Sequence, residues 1–208
     1  LNLVFIGVPG VGKGTYASKI VKKYKLFPVS PGELLRENVR DKPELVKKGY
    51  FKMEAGDLLD DDLVIGVIKK AIGRKTNVLF DGFPRTVYQA KQLDEFAKPE
   101  LIINFVADEK VIIGRLSNRR VCPKCEAIYN LITNSSKKKG VCDNCNTRLI
   151  QRKDDLPAAI KERLKVFNKI TLPVIDFYKK RAEFKVVDAS SDDIGSVVDV
   201  VIEIIENL

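Results

Sequence analysis

Residues 3–7, LVFIG, run without a polar residue into GVPGVGKGT, which sets glycines at 7, 10, 12 and 14 around Lys13. A strand that is apolar at consecutive positions has no solvent face, so both of its sides must be covered. Beyond Lys13 the apolar residues Ile20, Val21 and Tyr24 stand among lysines at helical spacing. Gly7-x-x-x-x-Gly12-Lys13 therefore lies between a predicted strand and a predicted helix, the setting in which a loop cradles phosphate. Glycine admits positive φ and close backbone approach, so that successive N–H groups turn inward, and the helix N-terminus adds its dipole. Lys13 is expected to reach the β- and γ-phosphates of a nucleoside polyphosphate. Gly14 stands where a serine or threonine commonly follows the lysine, which leaves Thr15 as the nearest hydroxyl to a magnesium-bound phosphate.

Further apolar runs rich in β-branched and aromatic residues occur at 26–30, 77–82, 101–107 and 184–189, separated by charged segments with helical spacing. That alternation predicts a parallel sheet with helices on both faces. Two regions break it: residues 31 to about 60, which read as helical pieces without a strand, and residues 121 to about 151, polar and rich in turns. A chain of 208 residues, 45% hydrophobic, suffices for one buried core with small insertions. No stretch approaches the roughly 20 apolar residues of a membrane span, and no basic start with a long apolar run marks a signal peptide. A soluble, intracellular protein is expected. The net charge of +9 predicts an acidic partner: nucleic acid, an anionic surface or phosphorylated small molecules. The chain has no histidine, so a mechanism that needs an imidazole base or ligand is excluded.

Residues 78–81, VLFD, form an apolar run that ends in an acid, the form expected of an aspartate that holds magnesium beside a phosphate loop. Cys122-x-x-Cys125 and Cys142-x-x-Cys145, sixteen residues apart, have the spacing of a four-thiolate tetrahedral site. Four sulfur ligands leave no open position, so a metal there is structural, with zinc expected and iron open; disulfides or a redox pair are the alternative.

From Asp81 the chain continues DGFPRTVYQA, and Gly82-Phe83-Pro84-Arg85 with Gln89 four residues on resembles the adenylate kinases. The resemblance extends to GVPGVGKGT (7–15), SPGELLR (30–36), GDLL (56–59), GRLSNRR (114–120), QRKDD (151–155) and KERL (161–164), in the family's order over nearly the whole chain. It implies a P-loop α/β fold with a five-stranded parallel sheet flanked by helices. The core comprises 1–29, 60–117 and 156–208, with a helical monophosphate-binding insertion at 30–59 and a small zinc-bearing lid at 118–155. It implies reversible transfer of the terminal phosphoryl group from ATP to AMP, giving two ADP, with Mg²⁺ on the nucleotide, in a cytoplasmic protein that is monomeric by family default. Lys13 and the backbone of Gly10, Val11, Gly12, Gly14 and Thr15 then grip the ATP phosphates. Arg115 lies against the ATP base, with Ile128, Tyr129 and Ser191 nearby. Arg36 and Arg85 take the AMP phosphate, Gln89 reads the AMP base, and Pro31, Asp57, Leu58, Leu59, Gly82, Phe83 and Pro84 complete that site. Arg115, Arg119, Arg152 and Arg163 close over both phosphate chains, and Arg119, Arg152 and Arg163 with Lys13, Arg85 and Asp81 form the catalytic set.

Arg115 and Arg119 are four apart in a predicted helical stretch, which sets them on one face, where like charges repel by a few tenths of a kcal/mol. Asp154 and Asp155 read both as helix-start acids ahead of Pro157 and as partners of lid arginines. One position departs from the family pattern: Pro31 stands where threonine is usual, which removes a hydroxyl beside the AMP base and on the order of 1 kcal/mol of discrimination. AMP stays favoured there with CMP or UMP able to enter, and because the contacts implied at the triphosphate site do not distinguish adenine from guanine, GTP-using or broad nucleoside monophosphate phosphotransfer is the nearest alternative. A nucleic-acid-binding ATPase with a zinc ribbon would interleave aromatics with basic residues, whereas the cysteine insertion holds Tyr129 alone. A noncatalytic nucleotide-responsive scaffold has no need of Lys13, Arg85, Arg119 and Arg163 together. The enzyme reading is therefore taken, without nucleic-acid or membrane partners.

Overall fold

The computed structural model describes residues 1–35, 54–55, 57–181 and 183–208. Five parallel strands make the sheet: β1 (Leu3–Gly7), β2 (Phe27–Val29), β3 (Val78–Asp81), β4 (Leu101–Val106) and, last in the chain, β7 (Phe184–Asp188). Their order is β2-β3-β1-β4-β7, so the strand that carries the glycine loop is central. Each expected strand is present, shorter by one or two residues at an end. β1 sits between β3 and β4 with Val4 opposite Phe80 and Ile102.

Alternation across the pleat explains why these runs are apolar throughout. Leu3, Phe5, Leu79, Ile103 and Phe105 face one side and pack under α1 (Lys13–Tyr24) and the C-terminal helix α7 (Ile194–Glu206). Val4, Ile6, Phe80 and Ile102 face the other, under α2 (Asp61–Ile72), α3 (Val87–Phe96) and α6 (Leu172–Tyr178). Complete burial of a side chain such as Phe80 contributes about 1.5–3 kcal/mol, so the two layers together hold the sheet. The valines and isoleucines of α7 join this core, with Val197, Val198, Val201 and Ile205 buried. Pro28 lies on the edge strand β2, where its missing N–H breaks no ladder.

The helices start where the sequence supplies acceptors. Asp60 accepts from the N–H groups of Asp62 and Leu63, Thr86 from Gln89, and Asp193 from Gly195. Pro31 opens a helical stretch over 31–35 in which the N–H groups of Glu33 and Leu34 donate to Ser30, so the proline sits where a backbone donor has no helical partner. α5 (Pro157–Val166) runs into a wide π turn at Phe167–Thr171 before α6. Pro173 in the first turn of α6 lacks a donor and crowds the carbonyl four residues back, which opens the helix there.

The cysteine insertion follows α4 (Glu109–Asn118) and contains the antiparallel pair β5 (Arg119–Val121) and β6 (Ile128–Asn130). Arg119 is therefore not on the helical face of Arg115: it is the first residue of β5, with extended backbone, because pairing with Asn130 ends the helix at Asn118. Residues 36–53 and 56, which carry Arg36 and most of the expected monophosphate-binding insertion, lie outside the described residues.

The sheet leaves no room at the head of the glycine loop. A Cβ on Gly7 (φ +145°) meets the Phe105 carbonyl oxygen at 2.4 Å. Gly7→Ala is expected to lower stability by about 2 kcal/mol or more, read from urea unfolding; an unchanged midpoint would contradict the close approach of β1 and β4.

Candidate active site

The C-terminal ends of the central strands open into a cleft of about 240 Å³. Gly10 (φ +91°) and Gly12 (φ +107°) turn the loop, and Gly12 caps α1 in left-handed conformation. Leu116 of α4 closes on Gly10, where a Cβ would lie 2.6 Å from its Cγ. Lys13 Nζ donates to the carbonyls of Gly7 (2.6 Å) and Val8 (3.1 Å). The loop thus holds its own lysine under the cradle.

Asp81 ends β3 beside this loop, its carboxylate 3.2 Å from where a Cβ on Gly14 would stand. Burial pulls Lys13 down to about 7; the charge of Asp81 opposes this, and those of Arg85, Arg163 and Arg119 reinforce it. Arg85 stands in the cleft mouth with Nε donating to the Gly82 carbonyl at 2.9 Å. The cleft wall opposite is an ionic cluster. Asp155, fully buried, takes Arg119 through both carboxylate oxygens and Arg163 at 2.9 Å. Asp154, also buried, pairs with Arg152 and with Arg163 at 3.2 Å. Burial pushes the Asp154 carboxyl up, but the Arg152 hydrogen bond and the charges of Arg163, Arg152 and Arg119 outweigh it and hold the group at about 2. Three guanidiniums on two carboxylates leave one positive charge in excess on this wall. The two acids precede rather than start α5: they form a single 3₁₀ turn, and Leu156 caps the helix.

Arg115 is fixed by backbone acceptors. Its Nη1 donates to Val11 (3.1 Å) and Ala189 (2.7 Å), and its Nη2 to Ser191 (2.6 Å). The carbonyls of Val11 and Ser191 thus position this guanidinium. Ile128 and Tyr129 do line it, as do Gly10, Gly12, Gly14, Thr15, Asp57, Leu58, Gly82 and Pro84. A smaller adjoining cavity of about 30 Å³ brings together Pro31, Leu59, Phe83 and Gln89 with Arg85, Asp57 and Leu58. Arg36 lies outside the described residues. Sequence reasoning passed over Asp192, which meets Arg115 at 3.3 Å, and Asp61, which holds Gln89; neither sits at a spacing that marks it. The wide turn before Pro173 also escaped it, and this turn brings Phe167 and Thr171 to the cleft wall.

In the insertion the four cysteine sulfurs all lie within 4.8 Å of one another. The 122–145 and 125–142 separations are 3.4 and 3.5 Å, near the edge of about 3.8 Å that a metal–sulfur bond of about 2.3 Å gives a tetrahedron. No S–S bond joins any of them, and a convergence of all four sulfurs is the arrangement of a shared ion rather than of two disulfides. The two knuckles repeat one pattern. Cys122 and Cys142 each donate a backbone N–H five residues forward, to Ala127 and Thr147, and each accepts from the residue four on. Those residues, Glu126 and Asn146, are both left-handed. The donor set fits a closed metal site remote in role from the cleft.

A glycine loop gripping a lysine, an acid at the end of the neighbouring strand and a wall of arginines define a phosphoryl-transfer enzyme of the P-loop class. The adenylate kinase family model matches residues 5–183. The chain is 40% identical to an adenylate kinase of Thermosipho africanus over 99% of both chains. It is 42% identical to one of Borrelia garinii over 91% of this chain and 92% of that protein, and 36% identical to one of Staphylococcus aureus over the full length of both. The chain belongs to the adenylate kinase family and is a nucleoside monophosphate kinase.

Because Lys13 is held near 7 by burial among cations, a polyphosphate beside it must raise its pKa. Binding of ATP above neutral pH is therefore expected to take up protons. Titration calorimetry at pH 8 in buffers of different ionisation enthalpy reads the uptake, and proton release, or no exchange, would contradict it.

Proposed function

We propose that the reaction is Mg²⁺-dependent transfer of the γ-phosphoryl group of ATP to AMP, with the two nucleotides bound from opposite sides of the lysine. The observation that carries this reading is the convergence of Lys13, Asp81, Arg85, Arg119, Arg152 and Arg163 on one cleft that adjoins the Gln89 cavity. An AMP phosphate oxygen attacks Pγ, the bond from Pγ to the β–γ bridging oxygen breaks, and ADP leaves on each side. The attacking phosphate is already anionic, so no general base is needed, in keeping with a chain without histidine.

Lys13 and the N–H groups of Gly10 to Thr15 hold the ATP phosphates. Arg85, with Arg36, holds the AMP phosphate, and Arg119, Arg152 and Arg163 meet the charge that spreads over the moving group. The acids beneath these arginines keep their guanidiniums aimed, so little reorganisation accompanies the transition state. Asp81 and Thr15 would hold Mg²⁺, which would supply further neutralisation of the phosphate oxygens. Arg115, pinned flat by Val11, Ala189 and Ser191, offers its face to the ATP base. Residues 30–59 and 118–155 are read as the two segments that close over AMP and ATP and exclude water, so that AMP and not solvent accepts the phosphoryl group. Lys153 reaches Glu54 at 3.1 Å, a contact that joins them.

Zinc is the ion this reading assigns to the four thiolates, which suits a reducing cytoplasm, and its role is to fold a segment with a small apolar core of Tyr129 and Leu149. Among the described residues no helix is long and apolar enough to cross a membrane.

Steady-state ADP formation from ATP with AMP, beside GTP with AMP and ATP with CMP, tests the assignment. Activity is expected to be confined to the first pair, and comparable rates in the others would widen the specificity. Arg119→Ala is expected to lower kcat at least tenfold with far-UV circular dichroism intact, and near-normal turnover would remove Arg119 from the transition state. Cys142→Ser is expected to lose bound zinc, measured by atomic absorption, and to melt the insertion before the core; unchanged zinc content, or iron in its place, would defeat the assignment.

A further inference from the structure

The base selectivity expected of Gln89 depends on which end of its amide faces which neighbour, and three residues decide that. Gln89 is buried, with 2% of its surface exposed, on the wall of the small cavity beside Phe83 and Pro31. The backbone N–H of Arg85 donates to Gln89 Oε1 at 2.7 Å, and Gln89 Nε2 donates to Asp61 Oδ1 at 2.8 Å. The other oxygen of Asp61 accepts from the Thr86 hydroxyl at 2.9 Å. That hydroxyl oxygen in turn accepts the N–H of Gln89 at 3.1 Å, so the carboxylate is itself oriented.

A backbone N–H only donates and a carboxylate oxygen only accepts, so the amide fits in one orientation and a flip would oppose like to like at both ends. What stays available on the amide is one N–H and one oxygen lone pair, in fixed spatial order. The pairing edge of adenine offers a donor at N6 and an acceptor at N1; hypoxanthine and guanine offer the reverse, an acceptor at O6 and a donor at N1. An amide that cannot flip can satisfy one order only in a given base pose.

We propose that Asp61 is a specificity-determining positioning residue, which locks the Gln89 amide in the order that accepts a 6-amino purine monophosphate and rejects a 6-oxo one. The lock matters more in this chain because Pro31 contributes no side-chain hydrogen bond to that pocket. Asp61 acts through Gln89 and needs no contact with the nucleotide. The inference rests on the AMP reading above.

The experiment compares kcat/KM for AMP and for IMP, with ATP as donor, in the wild-type chain, Asp61→Asn, Asp61→Glu and Asp62→Asn. Asp62 stands one residue on in the same helix turn, where it accepts the Tyr88 hydroxyl at 3.2 Å, and its substitution removes the same charge from the helix start. The AMP-to-IMP ratio is expected to fall about tenfold in Asp61→Asn, through a raised KM for AMP with kcat at saturation little changed. It is expected to recover in Asp61→Glu and to stay at the wild-type value in Asp62→Asn. A ratio unchanged both in Asp61→Asn, whose amide oxygen can still accept from Gln89, and in Asp61→Ser, which has no acceptor within reach of it, or a ratio lowered equally in Asp62→Asn, overturns the proposal. Should Asp61→Asn not fold, Asp61→Ser keeps a side chain suited to the helix start without the reach to Gln89, and the same ratio decides. Failure of the wild-type chain to use AMP at all would instead overturn the AMP reading.

Discussion

Concentrated positive charge is the constraint around which the rest of the molecule is arranged. Lys13, Arg85, Arg119, Arg152 and Arg163 must share one cleft, and unshielded cations at such separations repel strongly in a protein interior. Asp154 and Asp155 make the arrangement possible: buried behind the arginines, they fix three guanidiniums with hydrogen bonds that each carboxylate alone could not supply. Neutralisation is deliberately incomplete. The remaining charge is expressed in Lys13, drawn down to about 7 by burial and by its cationic neighbours. An anion with several oxygens placed in this cleft would relieve the tension directly. Burial of a polar cluster costs stability; the two apolar layers of the sheet bear that cost.

Much of this was legible in the sequence because it depends on short-range pattern. Runs such as Leu3–Gly7 and Leu101–Val106 announce strands covered on both faces, and the glycines around Lys13 announce the loop between strand and helix. The doubled Cys-x-x-Cys spacing announced the sulfur cluster. The arginine that sequence spacing put on a helix belongs instead to β5, because the bond pattern with Asn130, eleven residues on, overrides local helical preference. Pairings over longer separations were invisible: Asp61 meets Thr86 and Gln89 across 25 and 28 residues, and only the packing of α2 against α3 brings them together. The wide turn at Phe167–Thr171 has a local cause in Pro173, yet which way the helix opens depends on the cleft it borders.

The two insertions rest on different physics. The cysteine segment has a hydrophobic core of a few residues, and its knuckles hold Asn146 and, at greater cost, Glu126 in a left-handed conformation. Sulfur ligation can fix such a backbone because the chain has few other ways to be held. The described start of the other segment, residues 31–35, draws instead on apolar contacts: Leu35 is buried and Leu34 packs against the layer that contains Phe80 and Phe83.

The proline in β2 has a consequence beyond its own strand. An outermost strand with a full row of free backbone groups is a template on which another chain can grow, and partly folded copies of a parallel sheet are the usual nuclei of such growth. Pro28 removes a donor from the middle of that row, and Lys75 covers Phe27 beside it with its ammonium 4.4 Å from the ring centre. At the opposite border β7 carries Lys185, exposed. Each border of the sheet thus carries a residue that disfavours another strand, and newly made chains in a crowded solution are less apt to polymerise along it.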